Sequence, residues 1–208
     1  DGLAVARVSP LLANLVDKSM VQLLDGDVAR YRLLETLREF GSDCLDATER
    51  DRVEARHARW YLDVAERSAL ALSGPEEADA VMSLDRDFDN LRAAHLWSLE
   101  HGDADVALRL VAGMREYAFR RMRAEITSWA DAALMVPGAP DHGRYPLVVA
   151  IAGYGRFVRG DLEGAIARSD EALALEEQLG VTGSGLAERT LANAWFYRGD
   201  SASGTDWM

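Results

Sequence analysis

The 208 residues predict a mainly α fold, an α-solenoid of stacked helical hairpins preceded by a short helix and a β-hairpin. Three observations carry this expectation. From Glu76 to Met208 the chain reads as helical stretches separated by short turns, and no segment reads convincingly as a strand. Turn residues recur at one interval: Gly160-Asp161 and Gly199-Asp200 stand 39 residues apart, and a helix pair joined near Arg121 lies 39 residues before Gly160. Strand-like runs are confined to MVQLL (20–24) and ARYRLL (29–34), which flank Asp25-Gly26-Asp27 as the arms of a hairpin flank its turn.

The elements follow in order. Ser9-Pro10 predicts a helix opening, because serine caps orphan amides and proline at the first helical position gives up no hydrogen bond; this helix runs to about Asp17. After the hairpin, LLETLREF resumes helical spacing. Thr48 and Asp51 have the separation of a capping box, and Val53, His57, Trp60, Tyr61, Val64 and Ala65 recur at helical spacing through about Leu72. Ser73-Gly74-Pro75-Glu76 stops the helix and restarts it. The next helix carries Asn90, Ala94, Trp97 and Ser98 and ends at His101-Gly102; Asp103 caps its successor, which holds Val106, Leu110, Met114 and Tyr117. ITSWADAALMV follows Arg120 and Arg121 and is stopped by Pro137-Gly138. PGAPDHGRYP, residues 137 to 146, is the longest loop-like segment and is expected to be a flexible joint.

Composition narrows the function classes. With 49% hydrophobic and 28% charged residues the chain falls in the ordinary globular range, and no apolar run approaches the roughly 18 residues that a membrane helix needs. A net charge of -12, with Lys18 the single lysine, argues against broad nucleic-acid binding, which draws on clustered cations. Cys44 is the only cysteine, so no internal disulfide forms and a reducing cytoplasm is the expected compartment; beside Leu45 it is expected to be a small buried hydrophobe. Asp1 begins the chain without a signal-like segment, and both ends are expected to be cut from something longer.

Residues 145 to 175 carry the clearest repeat. Two helices meet at Gly160-Asp161, with Gly153 in the first and Ala165 and Ala172 in the second, small residues where helices must approach closely. Counted from Tyr145, these fill the small, turn and alanine positions of a tetratricopeptide repeat, which this segment resembles; Arg156 stands where that pattern usually has an aromatic residue. The opening segment, with LVDKSMV and RYRLLETLREF, resembles the winged-helix region that follows the nucleotide-binding domain in bacterial STAND-class (apoptosis-ATPase-like, LuxR-type) regulators. RHARWYLDVAE, LDRDFDNLRAAHLWSLEHGD and ALRL extend that resemblance over about residues 11 to 135. Arg121 and Met122 depart from it, standing where the family usually has a glycine. The implied organisation is a partial winged helix at 1–46, a helical linker with the first repeats at 47–136, and tetratricopeptide-like repeats at 145–208, the last incomplete.

Chemistry-bearing patterns are weak. No G-x-x-x-x-G-K-[ST] is present, so ATP is expected only on an upstream domain and no cofactor in this chain. LVVAIAGYGRFV lacks the third glycine and second strand of a dinucleotide site. Asp85, Asp87 and Asp89 alternate like a calcium loop but lack its glycine and glutamate, and capping by Asp87 or Asp89 is the better reading. His57, His95, His101 and His142 are scattered without metal-ligand spacing, and Thr182-Gly183-Ser184-Gly185 reads as an interhelical loop. Trp60, Trp97, Trp129 and Trp195 are expected in core packing. No enzyme is expected.

One positive site remains. In tetratricopeptide arrays the first helix of each pair lines a groove, and the positions so implied are Arg115, Phe119, Tyr154, Phe157, Arg189, Asn193 and Tyr197. Aromatic, guanidinium and amide groups together suit a protein or peptide partner or a small anionic ligand. The expected function is a non-catalytic sensor segment that restrains an intramolecular nucleotide-binding domain. A constitutive protein-protein scaffold and a DNA-binding winged-helix module are the alternatives, DNA being disfavoured because Lys18, Arg30 and Arg32 stand against Asp17, Asp25 and Asp27. No membrane partner is expected, and an unfinished repeat predicts self-association through an array end.

Overall fold

A computed structural model of the chain describes residues 4–24 and 29–199. Among them it is mainly helical: ten α-helices, one 3-10 turn and one two-stranded antiparallel hairpin. The chain divides into two compact units, Asp1–Val53 and Glu54–Met208.

The first unit contains α1 (Val5–Asp17), β1 (Val21–Leu24), β2 (Arg30–Leu33) and α2 (Glu35–Asp43). Val21 pairs with Leu33 and Leu24 with Arg30, so the hairpin predicted from MVQLL and ARYRLL forms; its turn residues Asp25, Gly26 and Asp27 lie outside the described residues. Ser9-Pro10 does not open α1. The helix begins at Val5, and Pro10 sits inside it, among exposed residues where the carbonyl it leaves unpaired can meet water. Cys44 is exposed, not buried, because it follows α2, a helix with no buried residue.

The start of α3 (Ala47–Ala71) corrects a second expectation. Asp46 and Glu49 form the reciprocal cap: the Glu49 amide donates to Asp46 Oδ1 at 2.8 Å and the Asp46 amide to Glu49 Oε2 at 3.2 Å. Thr48 and Asp51 lie within the helix, two residues too late to cap it.

α3 buries Ala58, Leu62 and Ala65 in the second unit, whereas Val53, at the end of the first unit, and Trp60, both from the predicted periodic set, face solvent. Small side chains let the next helices come close: a Cβ added at Gly113 would lie 3.3 Å from the Ala65 backbone. α4 (Glu77–Glu100) buries Leu84, Phe88, Leu91, Ala94 and Trp97. Asp87 and Asp89 lie mid-helix, away from the helix start where the expected cap would stand. The helix predicted through Val106 and Tyr117 is divided at Met114 into α5 (Ala104–Gly113) and α6 (Arg115–Arg121). α7 (Ala124–Ala133) follows, then a 3-10 turn at Ala139–Asp141 with Ala139 buried, so this connector packs compactly instead of running as an open loop. α8 (Tyr145–Val158), α9 (Leu162–Leu179) and α10 (Leu186–Arg198) complete the unit.

Three turns share one backbone device. At Gly102-Asp103, Met122-Arg123 and Gly160-Asp161 the first residue has φ of +63°, +48° and +82°, and the second has φ near -81° with ψ of 86°, 84° and 77°. Each second residue donates its amide five residues back, to Ser98, Ala118 and Arg156, closing a Schellman turn. Asp103 and Asp161 then cap the next helix through the amides of Val106 and Gly164; Arg123 has no side-chain acceptor and caps nothing. The turn predicted near Arg121 is therefore of the same kind as its neighbours, built without glycine. It lies 38 residues before Gly160, one fewer than the predicted interval.

Small residues set the helix contacts. Gly153 faces Arg168 and Ser169 across α8 and α9, a close approach of two helices at a small residue. Gly155 is tighter still: a Cβ there would lie 2.5 Å from the Thr127 Cβ on α7.

Candidate ligand face on α6, α8 and α10

Each predicted groove residue stands on α6, α8 or α10, because i, i+3 and i+4 positions share one face of a helix. α6 supplies Arg115 and Phe119, α8 supplies Tyr154 and Phe157, and α10 supplies Arg189, Asn193 and Tyr197. The tetratricopeptide resemblance implied these positions; packing decides which meet.

Phe119 and Tyr154 are in ring contact, 5.6 Å between centroids, and the Arg189 guanidinium lies 5.1 Å from the Phe119 centroid. Three helices thus converge on one aromatic and cationic cluster. Arg189 is exposed and has no carboxylate partner among the described residues, so its charge is answered by the ring face alone. Partial burial raises the Tyr154 phenol above its usual range, with Arg189 opposing the shift. Phe157 and Tyr197 form a second, edge-to-face pair at 5.6 Å. Asn193 is exposed, one turn from each of Arg189 and Tyr197. Arg115 is engaged by its neighbour Glu116 at 2.7 Å.

Phe196 was not foreseen. It is 66% exposed and packs edge-to-face on Tyr197, so the aromatic surface of α10 extends past the predicted stripe. Its place in AWFYR carried no periodic signal, since Trp195, Phe196 and Tyr197 point three ways around one turn.

A polar latch joins α6 to α4. Tyr117 is fully buried and donates its hydroxyl to Asp85 at 2.6 Å, while Arg121 and Arg123 pair with the same carboxylate. The Tyr117 bond and the two guanidiniums hold Asp85 below the usual carboxylate range; burial and Asp85 push Tyr117 up to about 12. Arg92 and Arg123 approach the Phe88 ring at 5.0 and 4.5 Å, and Trp129 stacks on both Phe88 and His95. Burial lowers His95 to about 4.

The other histidines make packing contacts: His57 with Asn90 and Tyr61, His101 with Trp97, and His142 with Asp105. A charged cleft of about 470 Å³ between α3 and α5 is lined by Arg59, Asp63, Glu66 and Arg109. Its Arg109 donates twice to Glu66 and once to Asp105, all at 2.9 Å, which leaves that guanidinium already served. Among the described residues no group of three or more His, Cys, Asp or Glu is placed to hold a metal, and no helix is long and apolar enough to cross a membrane.

These features define a helical chain with a short antiparallel hairpin and an aromatic-guanidinium face. Over 129 residues, 59% of the chain, it is 38% identical to a protein of Mycobacterium bovis and to proteins of two Mycobacterium tuberculosis strains, CDC 1551 and H37Rv. Each of the three carries a provisional name as an HTH-type transcriptional regulator. The match spans 14% of the length of these curated relatives. No family model and no solved structure matches the chain.

Proposed function

We propose that this chain is a non-catalytic regulatory segment of a transcriptional regulator of the STAND type, a partial winged helix followed by tetratricopeptide-like hairpins. Its face on α6, α8 and α10 receives a protein, a peptide or a small anionic ligand, and occupancy biases how the segment restrains a nucleotide-binding domain. A ligand shifts such an equilibrium only by its differential affinity for the two states. The similarity to relatives named as transcriptional regulators supports the regulatory role. The repeated Schellman turns and the close approach at Gly153 support the tetratricopeptide-like reading.

The observation that carries the binding role is the convergence of Phe119, Tyr154 and Arg189 from three helices. An unpaired guanidinium on an aromatic floor, in a chain of net charge -12, suits a planar anionic group. The test places Arg189→Ala with Asn193→Ala in the regulator that contains this segment, and reads transcriptional output and oligomeric state with and without inducing extract. Loss of the response with retained helical content supports the reading; an unchanged response removes it.

A further inference from the structure

We propose that copies of this chain associate head to tail, the basic, tryptophan-bearing face of α3 on one copy seated on the acidic, alanine-floored face of α9 on the next.

Two exposed stripes carry the inference. On α3, Arg56, Trp60, Asp63, Arg67 and Leu70 succeed one another by steps of four and three, which aligns them along the side of the helix opposite the buried Ala58, Leu62 and Ala65. All five are exposed, Trp60 to 61% and Leu70 to 80%. Arg67 pairs with Asp63, the one acid of the stripe, and lies 5.9 Å from the Trp60 ring centroid. Arg56 and the neighbouring, exposed Arg59 have no ion-pair partner among the described residues. A single exposed apolar residue is ordinary on a protein surface, but here two share one ridge with unpaired cations.

α9 repeats the pattern with the opposite charge. Glu163, Ala167, Asp170, Ala174 and Glu177 follow the same steps over the same length, and all five are exposed. Glu163 is held by Arg198 at 3.0 Å, whereas Asp170 and Glu177 have no ion-pair partner among the described residues. Between its carboxylates this stripe offers nothing larger than a methyl group, so a partner helix can lie close and a bulky indole can seat there. Large side chains and cations on α3 thus meet small side chains and carboxylates on α9. Both stripes stay exposed within one copy, so they meet only between copies.

A nucleic-acid backbone suits the α3 ridge less well. Two unpaired guanidiniums supply few phosphate contacts, Asp63 stands among them, and a chain of net charge -12 is repelled by a polyanion. Because the two faces differ, the contact is heterologous: each copy keeps a free face of either kind, and growth leads to chains or a closed ring. One helix on one helix lies at the small end of protein interfaces, so the association is weak, about micromolar or weaker. Neither face includes a residue of the ligand face on α6, α8 and α10, and this inference stands apart from the function proposed above.

The experiment is sedimentation velocity of the whole chain from roughly 10 to 500 µM at about 0.15 M salt, where the long-range repulsion between acidic copies is screened. The wild-type coefficient should rise with concentration. Trp60→Ala on one face, and Asp170→Arg with Glu177→Arg on the other, should each weaken association about tenfold or more with helical content retained. Mixing these two variants restores one intact α3 face and one intact α9 face, so they should form a one-to-one dimer that grows no further. If Trp60→Ala loses helical content, Arg56→Ala with Arg59→Ala takes its place. Arg189→Ala, on the ligand face, should associate as the wild type does. A wild type that stays monomeric throughout, variants that associate as it does, a mixture that stays monomeric or grows past a dimer, or salt-sensitive duplex DNA binding through Arg56 in place of self-association would overturn the proposal.

Discussion

The hydroxyl of Tyr117 on α6 donates to the Asp85 carboxylate on α4 at 2.6 Å, and the tyrosine ring is wholly buried while the acid also meets Arg121 and Arg123. A hydrogen bond to a charged group contributes about 1.5–3 kcal/mol. Tyr117→Phe keeps the ring and removes the donor. It should lower unfolding free energy by about that amount in urea titrations, while Asp85, losing the largest cause of its depressed pKa, titrates closer to its ordinary range by NMR.

His95 predicts acid sensitivity. It is 2% exposed and held neutral, with a folded pKa of about 4 against the usual 6.5. Below pH 6.5 the unfolded chain binds a proton that the folded chain refuses, so stability declines as pH falls from 6.5 to about 4. The full loss is about 3 kcal/mol. His95→Phe, which can keep the stack on Trp129, should flatten this part of the profile.

Met122 occupies a left-handed conformation at φ +48° and is 81% exposed, so it bears backbone strain and contributes little burial. Met122→Gly should raise stability by about 1 kcal/mol. Gly102→Ala and Gly160→Ala, at φ +63° and +82° in the matching turns, should lower it by about as much. Thermal unfolding of the three variants checks the shared turn geometry directly.

Gly155 lies against Thr127, which is 4% exposed and cannot move aside as a flexible chain end would. Gly155→Ala should therefore cost about 1–3 kcal/mol by overpacking the contact of α7 with α8. Gly143→Ala, where nothing lies within 4 Å of the added carbon, is the control expected to change stability little.

On the proposed ligand face, Arg189→Ala should weaken binding of an anionic partner about tenfold or more and leave the fold intact, since the guanidinium is exposed and unpaired with acid. Arg115→Ala should have a smaller effect, because that guanidinium already pairs with Glu116. Equal effects from both would argue against a centre at Arg189.

Helical spacing, the hairpin and the Gly-Asp turns were legible in the residues because each is a local matter of backbone geometry. Gly160 and Gly102 supply positive φ, Asp161 and Asp103 supply caps, and no distant partner is needed. The seven candidate residues came from the tetratricopeptide resemblance, and they stand on α6, α8 and α10. What failed locally failed where two similar signals compete: Asp46-Glu49 and Thr48-Asp51 share one spacing, and only the backbone path selects the first pair.

Burial and partnership belonged to tertiary structure. The sequence by itself determined that this chain is a succession of helices with a short hairpin, since that depends on repeats of 3.6 and 2 residues along the chain. Only packing decided that Trp60 is exposed while His95 is buried, and that Arg189 rests on Phe119. Periodicity names the face a side chain shares, but the helix that covers that face is chosen by contacts between residues tens of positions apart.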